Sequence, residues 1–292
     1  MDWPTAVTLT LNGFALAAIL FLLAAGLTLI FGLLDVLNFS HGAMFLVGSY
    51  LFVKFLTGGM PFGLALLAAG GCGLLLGIVV ERLLIRRLYG QVLAQFLVTL
   101  GVALILTELV QIIWGPDFQP TGDLPILEGT LSILGGTVRE YRLALIILGF
   151  AVFGLMYWIL QKTRIGLIVR AGVQDSEMVQ ALGTNVGRAF TGMFALGAGL
   201  AFFAGAAAAP YYGGTAPTLG DEHLVLAFVI AVVGGLGSYV GAAAGAAMVG
   251  LLSSFVSFYW SAGASLVPVL LMVVILIFRP EGLIRGERSV RV

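Results

Sequence analysis

The sequence predicts an all-α membrane protein, a polytopic inner-membrane helical bundle of about eight or nine transmembrane segments with broken or re-entrant helices. Two observations support this fold class. Of the 292 residues, 60% are hydrophobic and only 10% are charged, whereas globular domains carry about 25% charged residues. Long stretches such as 3–34 and 223–278 also contain no Asp, Glu, Lys or Arg, and a membrane-spanning helix needs only about 20 apolar residues.

Nine apolar segments divide the chain, and together they predict a single transmembrane domain over residues 1–292. The first could be taken for a signal peptide, but it lacks a basic leading region and its apolar stretch is too long, so we expect a retained span. The segment 223–236 is short enough to be a half-helix rather than a full span. The nine segments are 6–31, 41–56, 62–81, 92–114, 143–160, 189–209, 223–236, 240–259 and 264–279.

The basic residues indicate how these segments are oriented. Eleven of the fourteen Lys and Arg residues fall into three groups, which the positive-inside rule assigns to the cytoplasm. The loop 115–142 is richer in acidic residues and is assigned to the outside, where Gly135 and Gly136 predict a small β-hairpin. The N-terminus is then outside and the C-terminus inside. The basic groups are Arg82, Arg86 and Arg87; Lys162, Arg164, Arg170 and Arg188; and Arg279, Arg285, Arg288 and Arg291.

Two stretches interrupt the apolar pattern, "LLDVLNFSHGAMFLVG" at 33–48 and "VVGGLGSYVGAAAGAAMVG" at 232–250. Corresponding interruptions in two halves of a chain are typical of transport sites built from internal repeats. The alternative is a pair of ordinary tight turns.

In the first interruption, we expect residues 38–42 to begin a helix whose free N–H groups face a translocation path. The alternative is a surface turn capped by Asn38 or Ser40. Glu108 is a further candidate, because a carboxylate within a span marks a functional site by default, although here it lies close enough to the outer interface to reach water. The candidate path residues are Asn38, Ser40, His41, Gly42 and Glu108.

Small residues at four-residue spacing allow helix backbones to approach closely in lipid. We therefore expect helix packing, within the chain or across a dimer, at Gly73, Gly77, Gly237, Gly241 and Gly245. The second histidine, His223, belongs to the stretch "TLGDEHL" and is expected to cap a helix from an exterior loop.

Motifs for catalysis and for nucleotide binding are missing from the sequence. It has two histidines, one cysteine and no HExxH pattern, and neither of its lysines belongs to a phosphate-binding GxxxxGK[ST] loop. We expect no enzyme activity, cofactor, metal or nucleic-acid partner. An active transporter would then need an ion gradient or a separate ATPase, and the scarcity of embedded acids favours the ATPase. An ion-coupled secondary carrier of small polar solutes and a structural or assembly subunit are the alternatives.

The cytoplasmic loop 161–188 bears on this choice. Asp175 can cap a short helix over 176–182, and Gly183 can end that helix in the left-handed conformation. A short helix fixed between two spans can act as a lever on both. A solvated inner loop is the alternative interpretation.

This loop resembles the EAA-type loop of ABC importer permeases, in which a Glu lies six residues before a Gly, here Glu177 and Gly183. The pattern "TRIGLIVRA" followed by Asp175, "LG" and Asn185, the stretch "GLTLIFGLLDVLNFSHGAMFLVGSY" and the tail "RPEGLIRG" resemble the LivH-type branched-chain amino-acid permeases over nearly the whole chain. The sequence departs from these patterns in two places. Met178-Val179 replaces two alanines of the EAA signature, and Ile284-Arg285 replaces the usual Phe-Gly.

The resemblance implies a subunit of a bacterial or archaeal inner membrane that pairs with a sister permease, two ABC ATPase subunits and an external or periplasmic binding protein. The binding protein would largely set specificity. Branched-chain amino acids are the leading substrates, and other amino acids, urea, amides and small carboxylates are alternatives. The implied ATPase-coupling residues are Arg164, Arg170, Asp175, Glu177, Gly183 and Arg188.

Overall fold

Helices account for most of the regular structure in the computed structural model, which describes residues 1–122, 127, 129–174, 176–183 and 185–284. Short 3₁₀ turns at Ile85–Leu88 and Ser261–Leu266 supplement the α-helices of this described part. Its helices are α1 (Trp3–Leu34), α2 (His41–Thr57), α3 (Phe62–Leu83), α4 (Val92–Trp114), α5 (Glu140–Lys162), α6 (Arg164–Gln174), α7 (Ser176–Ala181), α8 (Val186–Tyr212), α9 (Leu219–Gly234), α10 (Tyr239–Tyr259) and α11 (Val267–Phe278).

All nine predicted apolar segments are helical, and the predicted polytopic all-α fold is confirmed. Seven helical stretches of the described chain are long and apolar enough to cross a membrane. The helices of the other two predicted apolar segments are shorter, α2 with 17 residues and α9 with 16. At 1.5 Å per residue each of these extends about 25 Å, less than the roughly 30 Å of a hydrocarbon core. The predicted segment 223–236 begins four residues too late, because α9 starts at Leu219.

Helices α1 and α8 lie at the centre of the bundle. In their most apolar stretches 83% and 78% of residues are buried, compared with 11% in α4 and 17% in α5. Helix α1 packs against α8 and α10, and α8 also packs against α2 and α3. Because α4 and α5 expose most of their apolar side chains, they lie at the periphery of the bundle.

Glycines allow the central helices to come into backbone contact. A Cβ atom at Gly48 of α2 would collide with the backbone of Phe202 on α8, and one at Gly205 of α8 would collide with the backbone of Phe45 on α2. Contacts this close let dispersion hold helices together in a lipid environment, where burial of apolar surface contributes little to association. The crossing of α2 and α8 therefore depends on these two positions.

A second close approach joins the two interruptions of the sequence. The chain between α9 and α10 turns through Gly235 and Gly237, both with positive φ. A Cβ atom at Gly32, near the end of α1, would lie 2.5 Å from the Cα of Gly237. The turn after α9 therefore packs directly against the end of α1.

Four short strands lie between the helices in the part of the chain that the structure describes. The predicted hairpin is present, with β2 (Thr130–Ile133) paired antiparallel to β3 (Gly136–Arg139). Its two turn residues are Leu134 and Gly135, both with positive φ, so the turn lies one residue earlier than the predicted glycine pair. The strands β1 (Gln119–Pro120) and β4 (Gly214–Thr215) also pair antiparallel and connect the chain after α4 to the turn between α8 and α9.

Replacing Gly32 with alanine should destabilise the protein by about 1–3 kcal/mol, because the new methyl group forces α1 away from Gly237. Thermal unfolding in detergent measures the loss. Gly101→Ala is the matched control, since Gly101 lies in α4 with open space around it; helix propensity alone makes this change neutral or stabilising by up to about 1 kcal/mol. Equal thermal midpoints for the two variants would show that the Gly32 contact carries no stability.

Candidate functional site

The interruption between α1 and α2 is a turn that is buried inside the bundle. The side chains of Asn38 and Ser40 are 0% exposed. The Asn38 Oδ1 accepts hydrogen bonds from the Ser40 N–H at 3.1 Å and the Ser40 hydroxyl at 2.5 Å. Asn38 therefore caps the turn, as the simpler interpretation of the sequence expected, but the turn does not lie at the surface.

Helix α4 completes the hydrogen bonding of this turn. The Thr99 hydroxyl accepts from the Phe39 N–H at 3.2 Å and lies 3.2 Å from the Leu37 carbonyl oxygen. An interruption at membrane depth is tolerated only where the protein satisfies its backbone groups. Thr99 supplies that partner from a position 60 residues away, which the sequence did not indicate.

His41 is the first residue of α2 and its ring is completely buried. The Nε2 lies 2.9 Å from the carbonyl oxygen of Leu23, eleven residues before the end of α1. The His41 ring thus contacts α1 about 16 Å before the end of that helix. Within the described residues, no group hydrogen-bonds the His41 Nδ1. The expected exposure of His41 to an aqueous path is not found in this conformation.

The start of α2 packs against the start of α9. A Cβ atom at Gly42 would collide with the carbonyl oxygen of Gly220 and would lie 2.6 Å from the Cβ of Leu224. One turn along α2, the Phe45 ring stacks on the His223 imidazole with centroids 4.4 Å apart. The absence of a side chain at Gly42 is thus what brings the two short helices together.

The expectation that His223 lies in an exterior loop is wrong. It belongs to α9, is 3% exposed, and places Nδ1 2.8 Å from the Leu219 carbonyl oxygen and Nε2 3.1 Å from the Tyr212 hydroxyl. Because α9 begins four residues before the predicted segment, the polar stretch Asp221–His223 forms its first turns. Of these residues only His223 is buried, against Phe45 and Tyr212, whereas Asp221 and Glu222 remain exposed in the first turn.

A second polar contact lies further along α2. The hydroxyl groups of Ser49 and Thr215 are 2.6 Å apart, and both side chains are 0% exposed. Ser49 also donates to the Leu46 carbonyl oxygen. The Tyr50 hydroxyl is buried and has no partner among the described residues. Sequence reasoning missed this contact, because it joins positions 166 residues apart.

The interruption between α9 and α10 is closed by the C-terminal segment. The N–H groups of Leu283 and Ile284 donate to the carbonyl oxygens of Val233 and Gly234 at 2.9 and 3.0 Å. These carbonyl groups belong to the last turn of α9, where C=O groups have no N–H partner within the helix. On the other side of the turn, the Ser238 hydroxyl accepts from the Gly241 N–H at 3.0 Å and caps α10. The "RPEGLI" stretch thus has a structural role at the second interruption.

The loop 161–188 begins with a tight junction between α5 and α6. The Thr163 hydroxyl donates to the Ile159 carbonyl oxygen at 2.6 Å and accepts from the Gly166 N–H at 3.3 Å. The Arg170 guanidinium donates to the Leu160 carbonyl oxygen at the end of α5, and a Cβ atom at Gly166 would collide with that oxygen. The T-R-x-G-x-x-x-R pattern therefore fixes α6 against the end of α5.

The turn from α7 to α8 uses two further residues of the pattern. Gly183 follows α7 with φ +81°, as expected for a glycine that ends a helix. Asn185 caps α8, because its Oδ1 accepts from the Arg188 N–H at 3.0 Å. Asp175 lies outside the described residues, and the side chain of Glu177 is likewise not described. The side chains of Arg164 and Arg188 are exposed.

The remaining predicted residues either lie on the surface or serve helix packing. Glu108 is on the exposed face of α4 and is not brought together with the residues at 38–42. Gly73 and Gly77 of α3 pack against α8, where a Cβ atom would lie 2.6 Å from the Phe202 side chain or 2.7 Å from the Ala198 Cβ. The other three packing candidates, Gly237, Gly241 and Gly245, contact α1 or α9 of the same chain.

One buried acid was not singled out by the sequence. Glu81, near the end of α3, is 0% exposed and accepts hydrogen bonds from the hydroxyl groups of Tyr89 and Thr191. In the sequence Glu81 follows an apolar run and precedes Arg82. This pattern is typical of a solvated helix end, so it gave no sign of burial. Among the described residues, no group of three or more His, Cys, Asp or Glu side chains is arranged to hold a metal ion.

Comparisons with known proteins identify the family. The family model described as branched-chain amino acid transport system / permease component matches residues 9–278. The chain is 28% identical over 290 residues to the high-affinity branched-chain amino acid transport system permease protein BraD of Pseudomonas aeruginosa, covering 94% of both chains. It is 27% identical over 290 residues to the corresponding permease protein LivH of Escherichia coli K12, covering 94% of this chain and 93% of the relative.

A solved structure supports the fold. The chain resembles one described as PsaBC from Streptococcus pneumoniae in complex with Fab, with a TM-score of 0.50 and 12% identity over 91% of this chain and 89% of the other. At this identity the likeness concerns the fold alone. The resemblance to LivH-type permeases that the sequence motifs indicated is confirmed by the family match. The chain is therefore a multi-pass membrane protein, not an enzyme, and belongs to the family of permease components of branched-chain amino acid transport systems.

Proposed function

We propose that this chain is the permease subunit of a binding-protein-dependent ABC importer, which forms the translocation path and is driven by separate ATPase subunits. The observation that carries the proposal is the short helix α7, whose end is fixed to α8 but whose outer surface is open. Met178 of α7 and Leu182 in the turn after it are 59% and 77% exposed. Two large apolar side chains exposed four residues apart, beside the basic residues of the cytoplasmic loop, fit a protein–protein contact.

Four partners follow from this proposal: a sister permease, two ABC ATPase subunits and an external or periplasmic binding protein. The relatives named for branched-chain amino acid transport support leucine, isoleucine and valine as substrates. The N-terminus is assigned to the outside and the C-terminus to the cytoplasm of an inner membrane. The whole chain acts as one permease domain, with 115–142 outside and 161–188 as the coupling loop. An ion-coupled secondary carrier is the competing function.

The path is proposed to run beside the start of α2, past Asn38, Ser40, His41 and Gly42. Two buried polar atoms of α2, the His41 Nδ1 and the Tyr50 hydroxyl, have no hydrogen-bond partner within the described residues. Each such atom costs about 1–3 kcal/mol, and unsatisfied buried groups in native proteins are often functional. Separation of α2 from α9 at Gly42 would open these atoms to the path. Glu108, on the exposed face of α4, is retained as a candidate at the outer end.

Coupling is proposed to pass from the ATPases through α7 into α8. Arg170 holds α6 to the end of α5, so α6 provides a fixed base. Gly183 and Asn185 set the angle at which α7 meets α8. Arg164, Asp175, Glu177 and Arg188 are proposed to meet the ATPase surface. A push on α7 is then transmitted to the central helix α8 because few residues separate them.

The function is tested by reconstituting the complete complex with its binding protein in liposomes. ATP-dependent uptake should require all partners, and it should persist when ion gradients are dissipated. Replacing Gly183 with valine should uncouple ATP hydrolysis from uptake, because positive φ costs a β-branched residue at least about 1 kcal/mol although open space surrounds the site. Glu177→Lys should have the same effect.

Gly183→Asn is the matched control, since asparagine tolerates the left-handed conformation. It should keep most of the coupling that Gly183→Val loses. Normal uptake per ATP in Gly183→Val would refute a role for this turn, and uptake driven by an ion gradient through this chain alone would favour the secondary carrier.

Changes at the start of α2 should block transport without preventing assembly. Asn38→Leu removes the cap of the buried turn, and His41→Leu removes the polar ring beside Leu23, so we expect uptake to fall at least about tenfold in each, as a loss of roughly 1.4 kcal/mol implies. Asp35→Asn should be milder, because Asp35 is exposed. Co-purification with the ATPases monitors assembly. If both leucine variants transport normally, the interruption is only a structural turn.

Orientation is tested with single cysteines on a Cys72→Ala background. Ser132→Cys on β2 should react with a membrane-impermeant maleimide in intact cells or spheroplasts. Ala181→Cys on α7 should react only after permeabilisation. Both side chains are exposed in the structure, so that accessibility within the protein is matched. The reverse labelling pattern would invert the assigned topology.

A further inference from the structure

The buried carboxyl group of Glu81 connects three parts of the chain. Glu81 belongs to α3, and among the described residues it is the only acidic side chain that is fully buried. Its Oε1 accepts from the Tyr89 hydroxyl at 3.1 Å, and its Oε2 accepts from the Thr191 hydroxyl at 2.6 Å. Tyr89 lies in the connection between α3 and α4, and Thr191 lies in α8. We call these three residues the Glu81 junction.

The Glu81 junction lies close along the chain to α7, which we call the coupling helix. Thr191 is six residues after Asn185, the cap with which α8 begins, and α7 ends only a few residues before that cap. The Thr191 hydroxyl is also 2.9 Å from the Gly187 carbonyl oxygen. Any displacement of the α7–α8 turn therefore reaches Thr191 within less than two turns of helix.

An open cleft of about 630 Å³ lies between α7 and the connection between α3 and α4. Its lining includes Arg86 and Tyr89 on one side and Gln180 and Gly183 on the other. The Tyr89 ring also contacts Phe190 of α8, with centroids 5.8 Å apart. The α7 helix thus has room to move towards the connection, and the Glu81 junction lies at the edge of that space.

The chemistry of Tyr89 suits a lasting hydrogen bond. Burial, together with the neighbouring Glu81 carboxylate, raises the pKa of Tyr89, although Arg86 opposes the shift. The phenol therefore keeps its proton and remains a donor to Glu81. Breaking either bond would leave polar groups stranded in a buried place, which is unfavourable.

Further along both helices, at positions before Glu81 on α3 and after Thr191 on α8, the two helices pack closely against each other. Gly73 and Gly77 of α3 lie against Phe202 and Ala198 of α8, with no space for a Cβ atom. Close packing resists sliding, but it has no directional bond that fixes the inner ends of the two helices. The hydrogen bond between Thr191 and Glu81 supplies one.

We propose that Glu81 is a positioning residue that transmits movement of the coupling helix α7 from α8 to α3, so that the two helices move together when the path opens. The proposal rests on the proposed ABC importer function. It assigns to Glu81 no contact with substrate or ATP. It also gives the connection between α3 and α4 a part in transport, through Tyr89.

The test uses the complete complex with its binding protein in liposomes and measures uptake per ATP hydrolysed. Thr191→Val removes the hydroxyl and keeps the shape, so we expect the ratio to fall about tenfold while ATP hydrolysis stays within about twofold of wild type. The thermal midpoint should fall moderately, because the buried Glu81 oxygen loses its donor. Tyr89→Phe should lower the ratio less, because its ring still packs on Phe190. Glu81→Gln should retain coupling, since the amide can accept from Tyr89 and donate to Thr191.

Ser254→Ala is the matched control. It removes a single hydroxyl whose bond to the Leu9 carbonyl oxygen joins α10 to α1, at 2.7 Å, far from the coupling loop along the chain. A normal ratio in Thr191→Val, or an equal loss in Ser254→Ala, would overturn the inference while leaving the importer function intact. If the wild-type complex shows no ATP-dependent uptake, the proposed function fails and this inference fails with it.

Discussion

Backbone hydrogen bonding at the two interrupted helices is the constraint on which the rest of the structure depends. Inside a membrane, an N–H or C=O group without a partner costs several kcal/mol. The first interruption obtains its partners from Asn38 within the turn and from Thr99 on α4. The second obtains them from Leu283 and Ile284 in the C-terminal segment. Both interruptions therefore require protein around them, and the helices are arranged to provide it.

Close approach of the backbones is how the bundle meets this requirement. Gly32 against Gly237 brings the second interruption to the end of α1, and Gly42 against Gly220 brings the start of α2 to the start of α9. With side chains at these positions the interruptions would stand apart, and their polar groups would face lipid or empty space. The same contacts gather His41, His223 and the Ser49–Thr215 pair in the interior. Polar residues can thus occupy the centre of a very apolar chain without facing hydrocarbon.

The loop 161–188 follows a different principle, because its helices are joined to their neighbours by very short connections. Thr163 and Arg170 join α6 to the end of α5 by donating to the carbonyl oxygens of Ile159 and Leu160 in its last turn, and the Gly166 N–H donates to the Thr163 hydroxyl. Gly183 and Asn185 then set a tight turn into α8. Each of these connections lies at a helix terminus, so few non-helical residues separate the helices. A displacement of one helix is therefore passed to the next. The proposed role of Glu81 extends this series of joints from α8 to α3.

The sequence by itself determined the number of apolar segments, the fold class and the family. Hydropathy is a property of composition within a short window, and motifs such as "TRIGLIVRA" with Gly183 are local, so neither depends on packing. The start of α9 was placed four residues too late, because Asp221 and Glu222 interrupt the apolar run. Both are exposed in the first turn of α9, where the positive end of the helix dipole favours acidic side chains.

Only the tertiary structure decided which residues meet. Helices that are apolar on every side give no periodic signal of the face that packs inward, so the close contacts of Gly32 and Gly42 with distant helices could not be predicted. Glu81 had the pattern of a solvated helix end, yet the hydroxyl of Thr191, 110 positions away, makes it a buried connection. Partners so far apart in sequence are brought together by packing alone, and no local pattern records them.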